Sequence, residues 1–181
     1  MWKKILLALG VVVAILVAVI AMQPASFSIE RSASIEAPAE IVIAHIENLR
    51  AMDAWSPWAK LDPQLKIDYD GPESGVGARS SWEGPEMGKG SLTILAVKPG
   101  QEVEMKLEML TPMAVTNRIL FSLAPTGDAT HVTWHMDGNN SFVGKAMGLF
   151  VSMDKMVGGP FESGLASLKT VAEAEAARTR R

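Results

Sequence analysis

The fold is decided by a stretch that alternates apolar and polar side chains without interruption, Glu102–Met109, EVEMKLEM. Successive side chains of a strand point to opposite sides, so the apolar residues share one face and the charged residues share the other. The stretch therefore predicts a strand with one face in a core and one in water. The same alternation recurs nearby through Ile119, Phe121 and Leu123, and through Val132, Trp134 and Met136. Three neighbouring strands are thus expected to present large side chains to a common interior.

A strand and short helices are predicted on the N-terminal side of this stretch. Residues 27–36, FSIERSASIE, alternate with period two and predict the first strand. A proline followed by apolar residues at helical spacing predicts a short helix over residues 38–47. The pattern breaks in residues 48–62, which predicts a short second helix within an ordered loop. Across residues 65–139, turn residues separate successive strands at the spacing of an antiparallel meander.

The C-terminal part of the domain changes to helical spacing. Apolar residues recur at i, i+4, i+7 and i+11 with charged residues between them, which predicts an amphipathic helix. These apolar residues are Phe161, Leu165, Leu168 and Ala172. Upstream, residues 142–157 are helical in composition and rich in methionine. Between the two segments, Gly158-Gly159-Pro160 predicts a kink or an interruption of the helix.

Six short motifs occur in the order of a known superfamily. They are Ser34-Ile35-Glu36-Ala37-Pro38-Ala39-Glu40, Trp55-Ser56-Pro57-Trp58, Gly75-Val76-Gly77-Ala78, Gly88-Lys89-Gly90-Ser91, Thr130-His131-Val132-Thr133-Trp134 and Phe161-Glu162-Ser163-Gly164-Leu165-Ala166-Ser167-Leu168-Lys169. Together they resemble the polyketide cyclase/dehydrase-like group of the START/Bet v 1 (SRPBCC) superfamily, over nearly all of residues 27–176. The resemblance implies an α+β helix-grip (Bet v 1-like) fold, a curved antiparallel sheet around a long C-terminal helix. It implies no single function, because this fold hosts binding proteins, cyclases, aromatases and lipid carriers.

The resemblance also implies a hydrophobic cavity between the sheet and the long helix. The residues predicted to bind a ligand there are Trp55, Trp58, Trp82, Met105, Phe121, Trp134, Met153, Phe161 and Leu165. The same side chains would also serve as ordinary close-packed core. Trp55 and Trp58 are expected to form either a lid over the cavity mouth or a buried anchor for their loop. The 11 methionines suit an interior that repacks around varied guests.

The residues that could carry chemistry give no clear site. His131 and His135 would lie about 13 Å apart on one strand face, too far to share a zinc ion, and we expect both on the solvent side. His45 is expected to be partly buried on the first short helix, and it is the candidate general base if it reaches the cavity. Residues 84–91, GPEMGKGS, resemble a phosphate loop but have other spacing and precede a strand, so we expect a hairpin. We assign no catalytic residue, no metal ligand and no cofactor.

The N-terminal segment predicts a membrane anchor spanning Lys3 to Met22. Ile5–Met22 carries no charge across 18 residues, and as a helix it covers roughly 27 Å, close to the thickness of the hydrocarbon layer. Lys3 and Lys4 precede this run, so the positive-inside rule predicts a cytoplasmic N-terminus and a domain on the exported side, periplasmic or extracellular. The alternative is a signal peptide cleaved after Ala21, although the apolar run is longer than the usual 7–15 residues or so.

Charge and composition limit the partners of the domain. Three parts follow from the pattern: residues 1–26 as anchor and joint, 27–177 as one helix-grip domain, and 178–181 as a basic tail. Five of the 17 Lys and Arg residues lie in the two ends, which leaves 12 against 20 Asp and Glu and a net charge of −8 over residues 23–177. Such a domain would repel a phosphate backbone, so we expect no nucleic acid partner. The absence of cysteine excludes disulfides and thiolate zinc sites.

Three functions are compatible with this sequence. The leading hypothesis is a membrane-tethered, non-catalytic binding protein for an apolar small molecule or lipid, because the tether confines the domain where such ligands partition. The alternative is a polyketide cyclase or dehydratase-type enzyme with acid and base residues in the same cavity. The third hypothesis is a domain whose outer surface binds another envelope protein. An exposed apolar patch on the domain would support it. The sequence names neither the ligand nor the oligomeric state.

Overall fold

The computed structural model of the protein describes residues 1–180, apart from the side chains of residues 59 and 60. An N-terminal helix precedes seven strands, three short helices between the first two of these strands, and two helices at the C-terminal end. In chain order the elements are α1 (Trp2–Ala21), β1 (Ser26–Ile35), α2 (Ala39–Glu47), α3 (Leu49–Met52), α4 (Trp58–Leu61), β2 (Lys66–Asp70), β3 (Arg79–Gly84), β4 (Gly88–Lys98), β5 (Glu102–Thr111), β6 (Val115–Thr126), β7 (Ala129–Asn139), α5 (Phe142–Gly148) and α6 (Met153–Thr179).

The seven strands form one antiparallel sheet in the order β1-β7-β6-β5-β4-β3-β2. The register between β4 and β5 shifts twice, between Lys89 and Gly90 and between Ile94 and Ala96. Such irregularities bend a strand and increase its twist, which helps the sheet to curve. Helix α6 packs on the inner face of this sheet, and α2 packs against α6. The predicted α+β helix-grip fold, with an apolar N-terminal helix before it, is confirmed.

The strand pattern sorts side chains as the alternation predicted. Val103 and Met105 are fully buried on β5, and Val132, Trp134 and Met136 are buried on β7. Positions between them carry charged or polar side chains that are exposed or half-buried. The sheet therefore has one face in the core and one face toward solvent.

Helix α6 follows the predicted spacing but not the predicted break. Phe161, Leu165, Leu168 and Ala172 are all buried against the sheet. We predicted a kink or an interruption at Gly158-Gly159-Pro160. The helix is continuous from Met153 to Thr179, so the interruption is wrong, whereas the kink stays a prediction. Arg31 of β1 explains Gly158, because a Cβ at that glycine would lie 2.2 Å from the Arg31 Nη2 atom. Glycine at position 158 thus lets the Arg31 side chain lie close to the backbone of α6.

The guanidinium of Arg31 ties β1 to α6. It lies 2.9 Å from Asp154 Oδ1 through Nη2 and 2.7 Å from Glu162 Oε1 through Nε. Both acids lie on α6, on either side of Gly158. These contacts fix the start of α6 along the strand, and the break between helices falls earlier, at residues 149–152. Ser152 caps the new helix by accepting a hydrogen bond from the Lys155 N–H group.

Asp62 holds the hairpin between β3 and β4. Its Oδ1 accepts a hydrogen bond from the Gln64 N–H group at 3.1 Å, and its Oδ2 accepts from the N–H groups of Glu86 and Met87 at 3.0 and 3.1 Å. Burial by itself raises the pKa of Asp62, but the hydrogen bonds from Met87, Glu86 and Gln64 outweigh it and hold the pKa below its ordinary value. The residues that resemble a phosphate loop therefore form a hairpin, as expected.

Acid should weaken this hairpin contact. Because the folded pKa of Asp62 lies below the unfolded value of about 3.9, its stabilisation is present above that pH and is lost as the pH falls through the folded pKa. We expect Asp62→Asn to lower the Tm at pH 7 and to flatten the fall of Tm between about pH 5 and 2. Circular dichroism at a series of pH values measures both effects. Asp68→Asn, which removes an exposed carboxylate from β2, is the control, and identical acid profiles for the two variants would contradict this role.

Candidate functional site

Four aromatic side chains meet in the core between the sheet and α6. Trp134 of β7 is stacked on Phe161 of α6 with ring centroids 3.9 Å apart. Phe121 of β6 lies 4.9 Å from Trp134, and Trp55 stands edge-on to both, at 6.0 and 5.7 Å. All four are buried. Each ring thus has other rings of the cluster as its neighbours, and the three pairs other than Trp134–Phe161 lie at centroid distances typical of favourable aromatic contacts.

Trp55 is a buried anchor of its loop. Its side chain is 0% exposed, and its Nε1–H group donates a 2.9 Å hydrogen bond to the carbonyl of His45 at the end of α2. Of the two roles predicted for this residue, lid and loop anchor, the structure agrees with the anchor. Trp58, at the start of α4, is half-buried against the same core.

The other predicted ligand-binding residues are spread over the fold. Met105 and Leu165 are buried in the same core as the aromatic cluster. Trp82 is half-buried on β3. Its ring packs against Gly90 of β4, and a Cβ at Gly90 would lie 2.6 Å from the Trp82 Cζ2 atom. Met153 lies in the first turn of α6, at the edge of the core. The structure therefore brings six of the nine together in one core, packs Trp58 and Met153 against that core and places Trp82 on β3. Ligand contact by all nine residues stays a prediction.

A cavity of about 380 Å³ opens where β1 begins and β7 ends, beside the end of α1. We call it the anchor-end cavity. Its apolar wall consists of Phe27, Met113, Val115, Met147, Val151, Met153 and Met156. Its remaining lining residues are Gln23, Pro24, Ser26, Asn117, Asn139, Asn140, Ser141, Gly144, Lys145, Gly148 and Ser152. Its volume is within the range of small-molecule sites, about 300–1,000 Å³.

Eight polar side chains also line this cavity, and one of them carries an unpaired atom. Asn117 is 7% exposed, and its Oδ1 atom has no hydrogen-bond partner among the described residues. Gly138 of β7 makes room for it, because a Cβ there would lie 2.2 Å from that oxygen. Lys145 is the one ionisable side chain among the lining residues, and its Nζ donates to the Ala21 carbonyl at 3.4 Å. The cavity thus combines an apolar wall with neutral polar side chains and one ionisable side chain among its lining residues.

Met153 is the one predicted ligand-binding residue among the residues that line the cavity, and sequence reasoning missed all the other lining residues. A usable signal was present, because Met147, Met153 and Met156 cluster in the segment between β7 and the core part of α6. The inward position of Asn117 could also have been predicted. It lies two residues before Ile119, so it continues the inward-facing series Ile119, Phe121 and Leu123.

A larger groove of about 590 Å³ runs along β5, β6 and β7. Most of its lining side chains are polar and belong to outward positions. Arg118 lies there, 2.7 Å from Glu104 and 3.8 Å from Asp137. Hydrogen bonding to Glu104 raises the pKa of Arg118 and lowers the pKa of that carboxyl. This salt-bridged groove offers less apolar surface than the anchor-end cavity, so we regard the smaller space as the candidate site.

The histidines lie away from both spaces or on the outer surface. His131 is exposed on the outer side of β7, and His135 lies 2.8 Å from Asp137 Oδ1 on the same side. His45 is partly buried, and its Nε2 lies 2.9 Å from Glu175 Oε2 on α6, without the alignment of a hydrogen bond. Over the described part of the chain, no group of three or more His, Asp or Glu side chains is placed to hold a metal ion.

Comparison with known proteins adds a family and a set of structural neighbours. A family profile described as polyketide cyclase / dehydrase and lipid transport matches residues 26–173. No curated protein matches the sequence. A structure from Mesorhizobium loti is 18% identical with a TM-score of 0.59, covering 82% of this chain and 98% of that one. A structure from Nitrosospira multiformis is 21% identical with a TM-score of 0.58, covering 86% and 100%. Ara h 8.0201 is 11% identical with a TM-score of 0.56, covering 82% and 99%.

These likenesses carry different weight. At such low identity the solved structures establish the fold alone, and a fold hosts many functions. The family profile matches every strand and most of α6. The chain therefore belongs to the polyketide cyclase/dehydrase and lipid transport family.

Proposed function

We propose that this protein binds an apolar small molecule or lipid in the anchor-end cavity while α1 tethers it to a membrane. The observation that carries the proposal is the cavity itself, about 380 Å³ with four methionines and three further apolar side chains in its wall. Flexible thioethers can repack around guests of different shape. A mostly apolar wall with a few polar groups is the usual composition of a small-molecule site.

The polar groups on the wall suggest an amphiphilic guest. Asn117 offers a buried oxygen without a partner among the described residues, and a buried acceptor is costly unless something donates to it. A hydroxyl or N–H group on the guest would supply that donor once the Asn117 side chain turns toward the cavity, because its Oδ1 atom is fully enclosed where it lies. We therefore propose a guest that is apolar over most of its surface and carries a hydrogen-bond donor.

Helix α1 supports a tether. An 18-residue window of this helix has a mean hydropathy of 2.9, and the helix is almost entirely exposed along its length, which is costly in water and favourable in lipid. Lys3 and Lys4 at its start favour a cytoplasmic N-terminus, which would put the domain on the exported side. We propose binding over catalysis, because general acid–base chemistry needs positioned ionisable groups and Lys145 is the one such side chain among the residues that line the cavity.

A cavity-filling variant tests the binding proposal. We expect the full chain, purified in mild detergent, to carry an apolar compound that native mass spectrometry and organic extraction detect. Met153→Trp should reduce the bound amount at least tenfold, because the larger ring occupies the space of the guest and a tenfold loss needs only about 1.4 kcal/mol.

Met87→Trp is the matched control, since Met87 is half-buried in the β3–β4 hairpin and outside the cavity lining. Both variants keep α1, so lipid that merely surrounds the anchor is the same in each. Equal amounts of compound in the two variants, or none in the unmodified protein, would refute binding in this cavity.

A further inference from the structure

Large apolar side chains are exposed in a cluster after β7. Within residues 26–180, eleven are exposed, and seven of these lie between residues 142 and 156. They are Phe142, Val143, Met147, Leu149, Phe150, Val151 and Met156. Phe150 is 88% exposed. We infer that α5 and its connection to α6, residues 142–152, lie in the interface of a lipid bilayer; we call these residues the interfacial segment.

Hydrogen bonds place the interfacial segment beside the end of α1. Lys145 Nζ donates to the Ala21 carbonyl at 3.4 Å. Just before the segment, Asn140 Nδ2 donates to the Pro24 carbonyl at 3.1 Å, and the Asn140 N–H group donates to the Ala25 carbonyl at 2.9 Å. If α1 spans a bilayer, its last turn lies at the lipid surface, and so does everything bonded to it. The inference rests on the proposed tether for this step.

The distribution of charge also favours contact between the interfacial segment and lipid. The domain between residues 23 and 177 has a net charge of −8, which would be repelled by anionic lipid head groups. From Gly138 to Met153, however, the chain contains no acid, and its one charge is Lys145. This stretch could therefore approach anionic lipid without repulsion from acids of its own. The segment is too short to span a bilayer, so it would lie along the boundary between head groups and acyl chains, about 5–10 Å deep.

The consequence concerns how a guest reaches the cavity. Met147, Gly148 and Val151 of the interfacial segment belong both to this surface and to the lining of the anchor-end cavity. A guest dissolved in the bilayer would therefore enter past this wall without crossing water. Because a lipid surface is continuous with the anchor and matches the charge of the segment, we favour it over a protein partner for this patch.

The test uses the absence of cysteine from the chain. Phe150→Cys in the full protein is labelled with the fluorophore NBD and reconstituted into vesicles of phosphatidylcholine and phosphatidylglycerol. We expect its emission to shift to shorter wavelength and to lose intensity when the vesicles contain nitroxide-labelled lipid. Val76→Cys, at another exposed apolar residue in the loop between β2 and β3, is the matched control and should keep the emission of a label in water.

Alkaline carbonate extraction of the same vesicles separates two kinds of failure. If the protein stays in the membrane fraction and the Phe150 label still behaves like the Val76 label, the interfacial inference is overturned and the patch is left to a protein partner. If carbonate releases the protein, the tether fails and the inference falls with it. Binding of a guest is measured separately by the Met153→Trp comparison, so it can stand in either case.

Discussion

Replacing Phe161 with alanine is expected to lower the free energy of unfolding by about 3–5 kcal/mol. Phe161 is 1% exposed, and its ring is stacked on Trp134 at 3.9 Å. Removal of the ring takes away its burial and leaves a cavity between α6 and the sheet. Alanine favours helix more than phenylalanine does, so the loss would come from packing and not from the helix backbone. Denaturant unfolding of the full chain, followed by tryptophan fluorescence, measures the change.

Phe142→Ala provides the comparison for this large loss. Phe142 is also a phenylalanine in a helix, but it is the first residue of α5 and is half exposed. In detergent we expect its replacement to change the free energy of unfolding by no more than about 0.5 kcal/mol. Losses of similar size in the two variants would mean that the aromatic cluster does not carry the stability that its burial suggests.

Two glycines of α6 should differ in their tolerance of alanine. A Cβ at Gly164 would lie 2.8 Å from Trp134 Cζ3 and 3.1 Å from Pro57 Cδ, whereas a Cβ at Gly159 would meet nothing within 4 Å apart from its own chain neighbours. Alanine gains about 1 kcal/mol over glycine inside a helix, but at residue 159 its Cβ crowds the ring of Pro160 and offsets part of that gain. At Gly164 it also overpacks a rigid ring, which costs about 1–3 kcal/mol.

The two alanine variants together compare the packing cost at Gly164 with the crowding at Pro160. We expect Gly159→Ala to have the higher free energy of unfolding, because overpacking the Trp134 ring costs about 1–3 kcal/mol and crowding of the Pro160 ring offsets only part of the helix gain at residue 159. Thermal and denaturant unfolding of both variants give this difference. If Gly164→Ala were as stable as Gly159→Ala, the Trp134 ring would have to shift freely, in contradiction to its stacking.

Much of the fold was predictable because two periodicities dominate the chain. The period-two pattern around Val103 and Met105 identified the central strands, and the helical spacing of Phe161 and Leu165 identified α6. What failed was a local argument at Gly158-Gly159-Pro160. Glycine and proline weaken a helix on their own, yet here the contact between Gly158 and the Arg31 side chain, with the ion pairs beside it, outweighs that preference. Such a tertiary contact leaves no mark in local sequence.

The candidate site was predictable in part. Alternation shows which side chains point inward, and it correctly placed Phe121, Trp134 and Phe161 on the inner side. It does not show which inward side chains pack against each other and which border empty space, because that depends on how α5 and α6 are seated over the strand ends. The anchor-end cavity joins Met113 of the β5–β6 connection, Asn117 of β6 and Met153 of α6, which are distant in sequence and meet only in the folded chain.

The joint between α1 and β1 consists of four residues, Met22–Ala25, and hydrogen bonds hold it along its length. The N–H groups of Met22 and Gln23 bond back to α1, and the carbonyls of Pro24 and Ala25 accept from Asn140. This short, hydrogen-bonded joint couples the orientation of the domain to the orientation of α1. In a bilayer, a thinner or thicker hydrocarbon layer changes the tilt of a spanning helix, and here that tilt would also turn the mouth of the cavity.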